Sequence, residues 1–297
     1  MNASPTPTCT PHGAKKITAT LAVAIALTLL TTAVSAVPIV DLGTAHGFAI
    51  LGGSQITDAG GASTIVTGDV GLYPATGAAI GINSGQVLAG SIYRAETSGA
   101  LLNDAKNDLT AAFTDAASRP VTVDFGAIDN QLGGKTLFPG VYSFGHAATA
   151  NLIGTLTLDA NGDLNPVWIF QATSDLITAA GAPGAAGSNV VLLNGATACD
   201  VFWQVSSSAT LGTYSDFVGN IMADQSISLQ AYATLNGSAL ARIAAVTLDH
   251  NTITLGDCSM DNSDGSHSVP EASSTLLLIG PGLAALLVFG RRSLAHI

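Results

Sequence analysis

The sequence predicts a mainly β fold: a three-sided parallel β-solenoid with one long α-helix packed alongside. Three observations carry this expectation. The second half repeats with a period of about 18 residues, the rest breaks into short apolar runs separated by Gly, Asn and Asp, and a single stretch has a helical period. Composition agrees. Only 10% of the 297 residues are charged, against roughly 25% in ordinary globular chains, and 33 are Gly. A narrow core of Ala, Val, Leu and Ile with corners of short side chains accounts for both, because Gly, Asn and Asp tolerate the left-handed backbone that tight corners need.

At the N-terminus, Lys15 and Lys16 precede an apolar run over 21–30, followed by Val34, Ser35 and Ala36. This is the pattern of a secretory signal peptide over 1–36, cleaved after Ala36. An uncleaved anchor is the competing reading, and the run is shorter than the roughly 20 residues that a membrane span needs.

The helix is expected over 98–117, where Leu101, Leu102, Ala105, Leu109, Ala112, Phe113 and Ala116 recur at spacings of three and four and Pro120 closes the run. The solenoid domain as a whole is assigned to 37–256. Its repeats are clearest in three consecutive blocks, 200–218 (DVFWQVSSSATLGTYSDFV), 219–236 (GNIMADQSISLQAYATLN) and 237–254 (GSALARIAAVTLDHNTIT). Trp203, Ile221 and Ala239 fall in register. So do Phe217, Leu235 and Ile253, and, after a one-residue slip, Leu211, Leu229 and Leu248. Residues 167–171 (VWIFQ) echo 201–204 (VFWQ). Three apolar strand cores per period are what each rung of a three-sided stack buries against the next.

Cys9 leaves with the signal, so Cys199 and Cys258 are the thiols of the exported part. The repeat puts them three rungs apart, about 14 Å at the usual strand spacing. That exceeds disulfide reach unless the chain after Leu255 folds back.

Residues 257–268 read as a linker. The end of the chain, 269–297, starts with Val269, Pro270 and Glu271, continues as an apolar stretch over 275–289, and closes with Arg291 and Arg292. Basic residues directly after an apolar run form a stop-transfer pattern. This tripartite end resembles the PEP-CTERM sorting signal of Gram-negative bacteria, with Ala272 where that signal has its second proline. The resemblance implies an exosortase-type sorting enzyme and the membrane as partners, with transient inner-membrane anchoring. A plain tail anchor is the alternative, weakened by the break at Gly280, Pro281 and Gly282.

Charge excludes one class of function. The segment 37–268 has 5 basic residues (Arg94, Lys106, Arg119, Lys135, Arg242) against 19 acidic ones, a net charge of −14. Nucleic acid needs a basic stripe, so it is not an expected partner. Catalytic and metal templates also fail. Gly133, Gly134, Lys135 and Thr136 mimic the end of a phosphate loop, but the required first Gly falls on Asp129. His46, His146, His250 and His267 have no ligand spacing, and Asp257, Asp261 and Asp264 miss the alternation of a calcium loop. No catalytic residue, metal or cofactor is expected, and the chain is read as a monomeric non-enzyme.

What remains is a row of outward residues. If Leu211, Leu229 and Leu248 point inward, alternation turns Ser208, Thr210, Ser226, Ser228, Ala245 and Thr247 outward. Thr149 and Asn151 before Leu152, and Asp175 and Ile177 around Leu176, extend the same face. Stacked hydroxyl, methyl and amide groups without Lys, Arg or Glu are unusual on an exposed sheet, although Thr is also simply a good strand former.

Several motifs then resemble one family. They are 42–53 (LGTAHGFAILGG), 65–71 (IVTGDVG), 113–119 (FTDAASR), 132–142 (LGGKTLFPGVY), 167–171 (VWIFQ), 201–205 (VFWQV), 235–241 (LNGSALA) and 245–249 (AVTLD). In this order, from about Asp41 to Leu255, they resemble the microbial ice-binding proteins of the DUF3494 type. The resemblance implies a discontinuous right-handed β-helix with the long helix alongside, an N-terminal segment that joins the stack next to the C-terminal rungs, and an ice-binding site on one flat face. Members often carry Thr-Ala/Gly-x-Thr/Asn strings there; the nearest here is Thr210, Leu211, Gly212, Thr213. The function expected from the resemblance is that of an exported antifreeze or ice-recrystallisation-inhibiting protein whose partner is the ice crystal surface. The alternative is a structural or adhesive protein of the cell surface or exopolysaccharide matrix on the same scaffold. A β-helix polysaccharide lyase or hydrolase fits less well, since the five basic residues form no evident cluster.

Overall fold

The computed structural model describes residues 37–125, 130–145 and 149–256. The signal-like segment, the linker and the sorting-signal-like end with Val269, Pro270 and Glu271 lie outside the described residues, as do Cys9 and Cys258. Among the described residues no helix is long and apolar enough to cross a membrane.

Three parallel sheets of nine, six and eight strands form the sides of one stack. In the rung that begins at Val201, the chain runs along the nine-stranded sheet as Val201–Val205, along the six-stranded sheet as Ala209–Leu211 and along the eight-stranded sheet as Asp216–Val218. The next two rungs repeat this as Asn220–Ala223, Ile227–Leu229 and Thr234–Asn236, then Ala239–Ala241, Val246–Leu248 and Thr252–Thr254. Trp203 pairs with Ile221, Ile221 with Ala239, Phe217 with Leu235 and Leu235 with Ile253. The repeat register read from sequence is therefore the register of the sheets. Gln171 also aligns with Gln204, as the VWIFQ and VFWQ echo requires.

The stack is discontinuous in sequence. Phe48–Gly52, Ile56–Asp58 and Ile65–Thr67 form the rung that follows the last C-terminal one: Ile50 pairs with Ala239, Thr57 with Thr247 and Val66 with Ile253. From there the chain climbs to one end of the stack through Asp69–Leu72 and Ile92–Arg94. It must then return to the opposite end before building the remaining rungs. The helix Ala95–Ser118 makes that return. Its 24 residues span about 36 Å at 1.5 Å each, and eight spacings across nine strands come to about 38 Å.

The helix begins one turn before the expected 98–117, with a non-helical Ser98 (φ −133°, ψ 29°) marking a kink. Leu102, Ala105, Leu109, Ala112 and Ala116 are buried against Val141, Ile169, Phe202, Met222, Leu240 and Leu51, the outer side chains of the nine-stranded sheet. Leu101 departs from expectation. It is 38% exposed, because the helix packs on the narrow stripe of its small residues and Leu101 falls beside it. Gln171 ties the far end, donating to the carbonyls of Ala116 and Arg119. Lys106 reaches back from the middle to the Ala241 carbonyl at 2.6 Å. Burial, and secondarily the charge of Arg242, pulls the Lys106 ammonium down from 10.5 to about 7. Arg242 itself is ion-paired with Asp224 and lies over the Phe113 ring at 4.6 Å.

Inside the stack, one inward row of the nine-stranded sheet tapers. Tyr142, Phe170 and Trp203 stack at 5.4 and 4.0 Å and give way to Ile221, Ala239, Ile50 and Val70.

The corners divide into two kinds. Between the eight- and nine-stranded sheets Gly219 and Gly237 hold φ of +113° and +141°, and a Cβ on Gly237 would lie 2.1 Å from the Gly219 carbonyl oxygen. This corner is glycine as expected. Between the six- and eight-stranded sheets the expectation of short side chains fails: Tyr214, Tyr232 and His250 occupy left-handed φ of 56°, 61° and 54°. Their rings follow one another at 4.9 Å from rung to rung, Tyr214 stacked on Tyr232 and Tyr232 tilted against His250, and such pairs are worth about 0.5–1.5 kcal/mol each, which offsets part of the strain of about 1–2 kcal/mol per residue. Cys199 is disulfide-bonded.

Candidate functional site

The helix covers the outside of the nine-stranded sheet, which leaves two faces of the stack for contact with something outside it. The six-stranded face is built from strands of three residues, and its register is one to one. Asn151 in Ala150–Leu152 pairs with Ile177 in Leu176–Thr178, and Ile177 with Thr210. Thr210 pairs with Ser228, Ser228 with Thr247, and Thr247 with Thr57. A short strand places its first and third residues inward, so each rung presents one central side chain. Ala209, Leu211, Ile227, Leu229, Val246 and Leu248 are fully or almost fully buried on either side of it.

The central row is thus Asn151, Ile177, Thr210, Ser228, Thr247, Thr57, six uncharged residues in line. Rungs repeat at about 4.8 Å. Among the described residues, none of the hydroxyls of Thr57, Thr210, Ser228 and Thr247 is tied to another protein group, so all four are free to bond water. The adjoining carboxylates are turned to structural use. Asp58 accepts from Thr64 Oγ1 and Gln86 Nε2, and Asp249 meets His250 Nδ1 at 2.6 Å. Asp175 accepts from the Ser208 amide, which holds its carboxyl below the ordinary value, and from Ser174.

The residues singled out from sequence divide by position. Asn151, Thr210, Ser228 and Thr247 stand in the central row. Ser208, Ser226, Ala245 and Thr149 precede their strands and form a partly exposed margin, where Ser208 Oγ accepts from the Ser226 amide at 3.4 Å. Thr57 belongs to the central row and was not among them. Its strand, Ile56–Asp58, has too few residues for a period to show, and only its pairing with Thr247 places it.

The eight-stranded face also carries hydroxyls, in two rows. One runs Thr155, Asn189, Asp216, Thr234, Thr252, Ile65; the other contains Thr157 and Val191, and Val218, Asn236, Thr254, Thr67 and Leu88. Asp216 interrupts the first row and takes a hydrogen bond from Thr234 Oγ1 at 2.8 Å. A carboxylate orders its own hydration shell and breaks the uniformity that the six-stranded row keeps. Among the described residues, no three His, Cys, Asp or Glu side chains converge to hold a metal ion.

A sequence model of the ice-binding-like family matches residues 50–254. An ice-binding protein of Nostoc sp. (strain HG1) is 37% identical over 269 residues, covering 90% of this chain and 93% of the relative. One from Flavobacterium frigoris (strain PS1) is 36% identical over 227 residues, covering 73% and 76%. Among solved structures, an ice-binding protein from an Antarctic biological consortium superposes with a TM-score of 0.64 at 36% identity, covering 75% of this chain and 93% of that one. The ice-binding protein of the Antarctic ascomycete Antarctomyces psychrotrophicus gives 0.64 at 37% identity, with 73% and 98% covered.

Proposed function

Because the chain belongs to the ice-binding-like family, we propose that it adsorbs to ice through its six-stranded face and restrains ice growth or recrystallisation around the cell that exports it. The observation that carries this reading is the in-register central row, uncharged over six rungs and flanked in the three C-terminal rungs by buried aliphatic side chains.

No catalytic group is needed. Methyl groups order the water beside them, free hydroxyls anchor it, and a rung spacing of about 4.8 Å lies near a repeat of oxygen atoms in ice. A layer of water held in that pattern merges with the crystal. The three sheets hold the row rigid before it meets ice, so little conformational entropy is lost on adsorption. Adsorbed molecules make the growing front bulge between them, and the curvature arrests it.

The ends of the chain fit export. The segment 1–36 reads as a cleaved signal peptide, and 269–297, opening with Val269, Pro270 and Glu271, as a PEP-CTERM-like address handled by an exosortase-type enzyme at the membrane. The protein then acts at or beyond the cell surface as a monomer.

The test is ice recrystallisation in a splat-cooled film at micromolar protein. Arrested coarsening is the expected result, abolished by Thr210→Tyr. Coarsening at the rate of buffer alone rejects ice binding in favour of a surface or matrix role. Loss of activity with Thr252→Tyr but not with Thr210→Tyr moves the site to the eight-stranded face.

A further inference from the structure

We infer that Thr57 completes the ice-contacting row and that Ile177 sets its limit, an inference that rests on the six-stranded face being the ice-binding one. Thr57 lies far from the other row members in sequence, yet it pairs directly with Thr247 through the register of Ile56–Asp58 with Val246–Leu248. Its strand is the last of the six-stranded sheet but is anchored on both sides. Ile56 is fully buried, bridges to Ile80 on its other side, and accepts from the Gly81 amide at 2.7 Å. The neighbouring Asp58 carboxylate is drawn into the corner by Gly60, Thr64 and Gln86, which keeps charge off the face beside Thr57. The Thr57 side chain is therefore held in register with those of the C-terminal rungs, with its hydroxyl free.

At the other end Ile177 is 43% exposed and stands between Asn151 and Thr210. Its methyl groups can order water but cannot anchor it. The unbroken run of hydroxyls is Thr210, Ser228, Thr247 and Thr57, three rung spacings or about 14 Å long. Asn151 lies beyond the gap. One quarter of the anchoring run thus comes from the N-terminal segment, and a single apolar residue separates a four-rung row from a six-rung one.

The experiment compares the full-length chain with Thr57→Tyr, Thr57→Val, Thr247→Tyr and Ile177→Thr by the lowest protein concentration that arrests recrystallisation, with thermal melts as a fold control. Thr57→Tyr is expected to raise that concentration about tenfold, as Thr247→Tyr does, a loss of about 1.4 kcal/mol in adsorption. Thr57→Val keeps the shape of Thr without its hydroxyl and is the decisive variant if Tyr prevents folding; a rise of about threefold is expected. Ile177→Thr should lower the concentration at least twofold. If Thr247→Tyr loses activity while both Thr57 variants match the parent, Thr57 is not in the row, although the face stands. An unchanged or raised concentration for Ile177→Thr removes Ile177 as the limit. If neither Thr247→Tyr nor Thr57→Tyr changes activity, the assignment of the face itself fails.

Discussion

Gln171 donates through Nε2 to the carbonyl of Ala116 at 2.8 Å, so a buried amide on the nine-stranded sheet closes the last turn of the long helix. The same nitrogen also reaches the Arg119 carbonyl at 2.9 Å. Two carbonyls that would otherwise lack partners at the helix C-terminus are satisfied by one side chain. Gln171→Leu keeps the volume and removes both bonds. It should cost about 1–3 kcal/mol, seen as a loss of roughly 3–10 °C in melting temperature, and protection from hydrogen exchange should fall first over 112–118. An unchanged melt would show that water replaces the amide at no cost.

The aromatic corner makes an ordered prediction. Tyr232 stacks between Tyr214 and His250 while holding φ at +61°. Tyr232→Ala loses both stacks and keeps the strain, for a cost of about 1–3 kcal/mol. Tyr232→Gly loses the same stacks but relieves the backbone, and should be more stable than the Ala variant by about 1 kcal/mol. The order of the two melting temperatures is the test, and Ala melting above Gly would contradict the account of this corner.

Lys106 gives a pH dependence. Its folded value of about 7 lies below the 10.5 of the free side chain, so between those values the unfolded chain holds the extra proton. Stability therefore rises with pH across that window, and below about 7 the full cost of the buried charge is present. Melts of the parent should gain several degrees from pH 6 to pH 9 relative to Lys106→Met, in which this component is absent. Parallel curves for the two proteins would contradict it.

Gly237 supplies the most demanding backbone site. With φ at +141° and the Gly219 carbonyl 2.1 Å from where a Cβ would stand, Gly237→Ala strains the backbone and collides with the rung below. A loss of at least about 3 kcal/mol is expected, with reduced soluble yield. Recovery of a parent-like melt would mean that the corner can shift its register.

Much of the stack was legible because identical local needs recur. Every rung requires an inward residue at the centre of each strand of the eight-stranded sheet, so Phe217, Leu235 and Ile253 announce one another. The same repetition placed Thr210, Ser228 and Thr247 in a row. Thr57 escaped because pairing between Ile56–Asp58 and Val246–Leu248 is a long-range event with no local signature. The family resemblance implied that the N-terminal segment enters there, but not which residue faces out. Leu101 misled because a period identifies a face of a helix without saying how wide the covered stripe is. The corner tyrosines were missed for a different reason: local preference argues against rings at left-handed positions, and the contact between rungs that offsets part of that cost joins residues 18 apart.

The pairing of Ile50 with Ala239 has a consequence for the order in which the molecule can be completed. A chain made from its N-terminus produces Phe48–Gly52, Ile56–Asp58 and Ile65–Thr67 early, yet the rung they rest on, which ends at Thr252–Thr254, is nearly the last to be made. Until then the first-made strands carry an open edge of unpaired amides and carbonyls, which is a hazard for pairing with other chains. Closure waits on contacts between distant parts of the sequence and is slow for that reason. The final rung acts as a keystone, and a chain truncated before residue 239 would leave both halves of the stack with exposed edges.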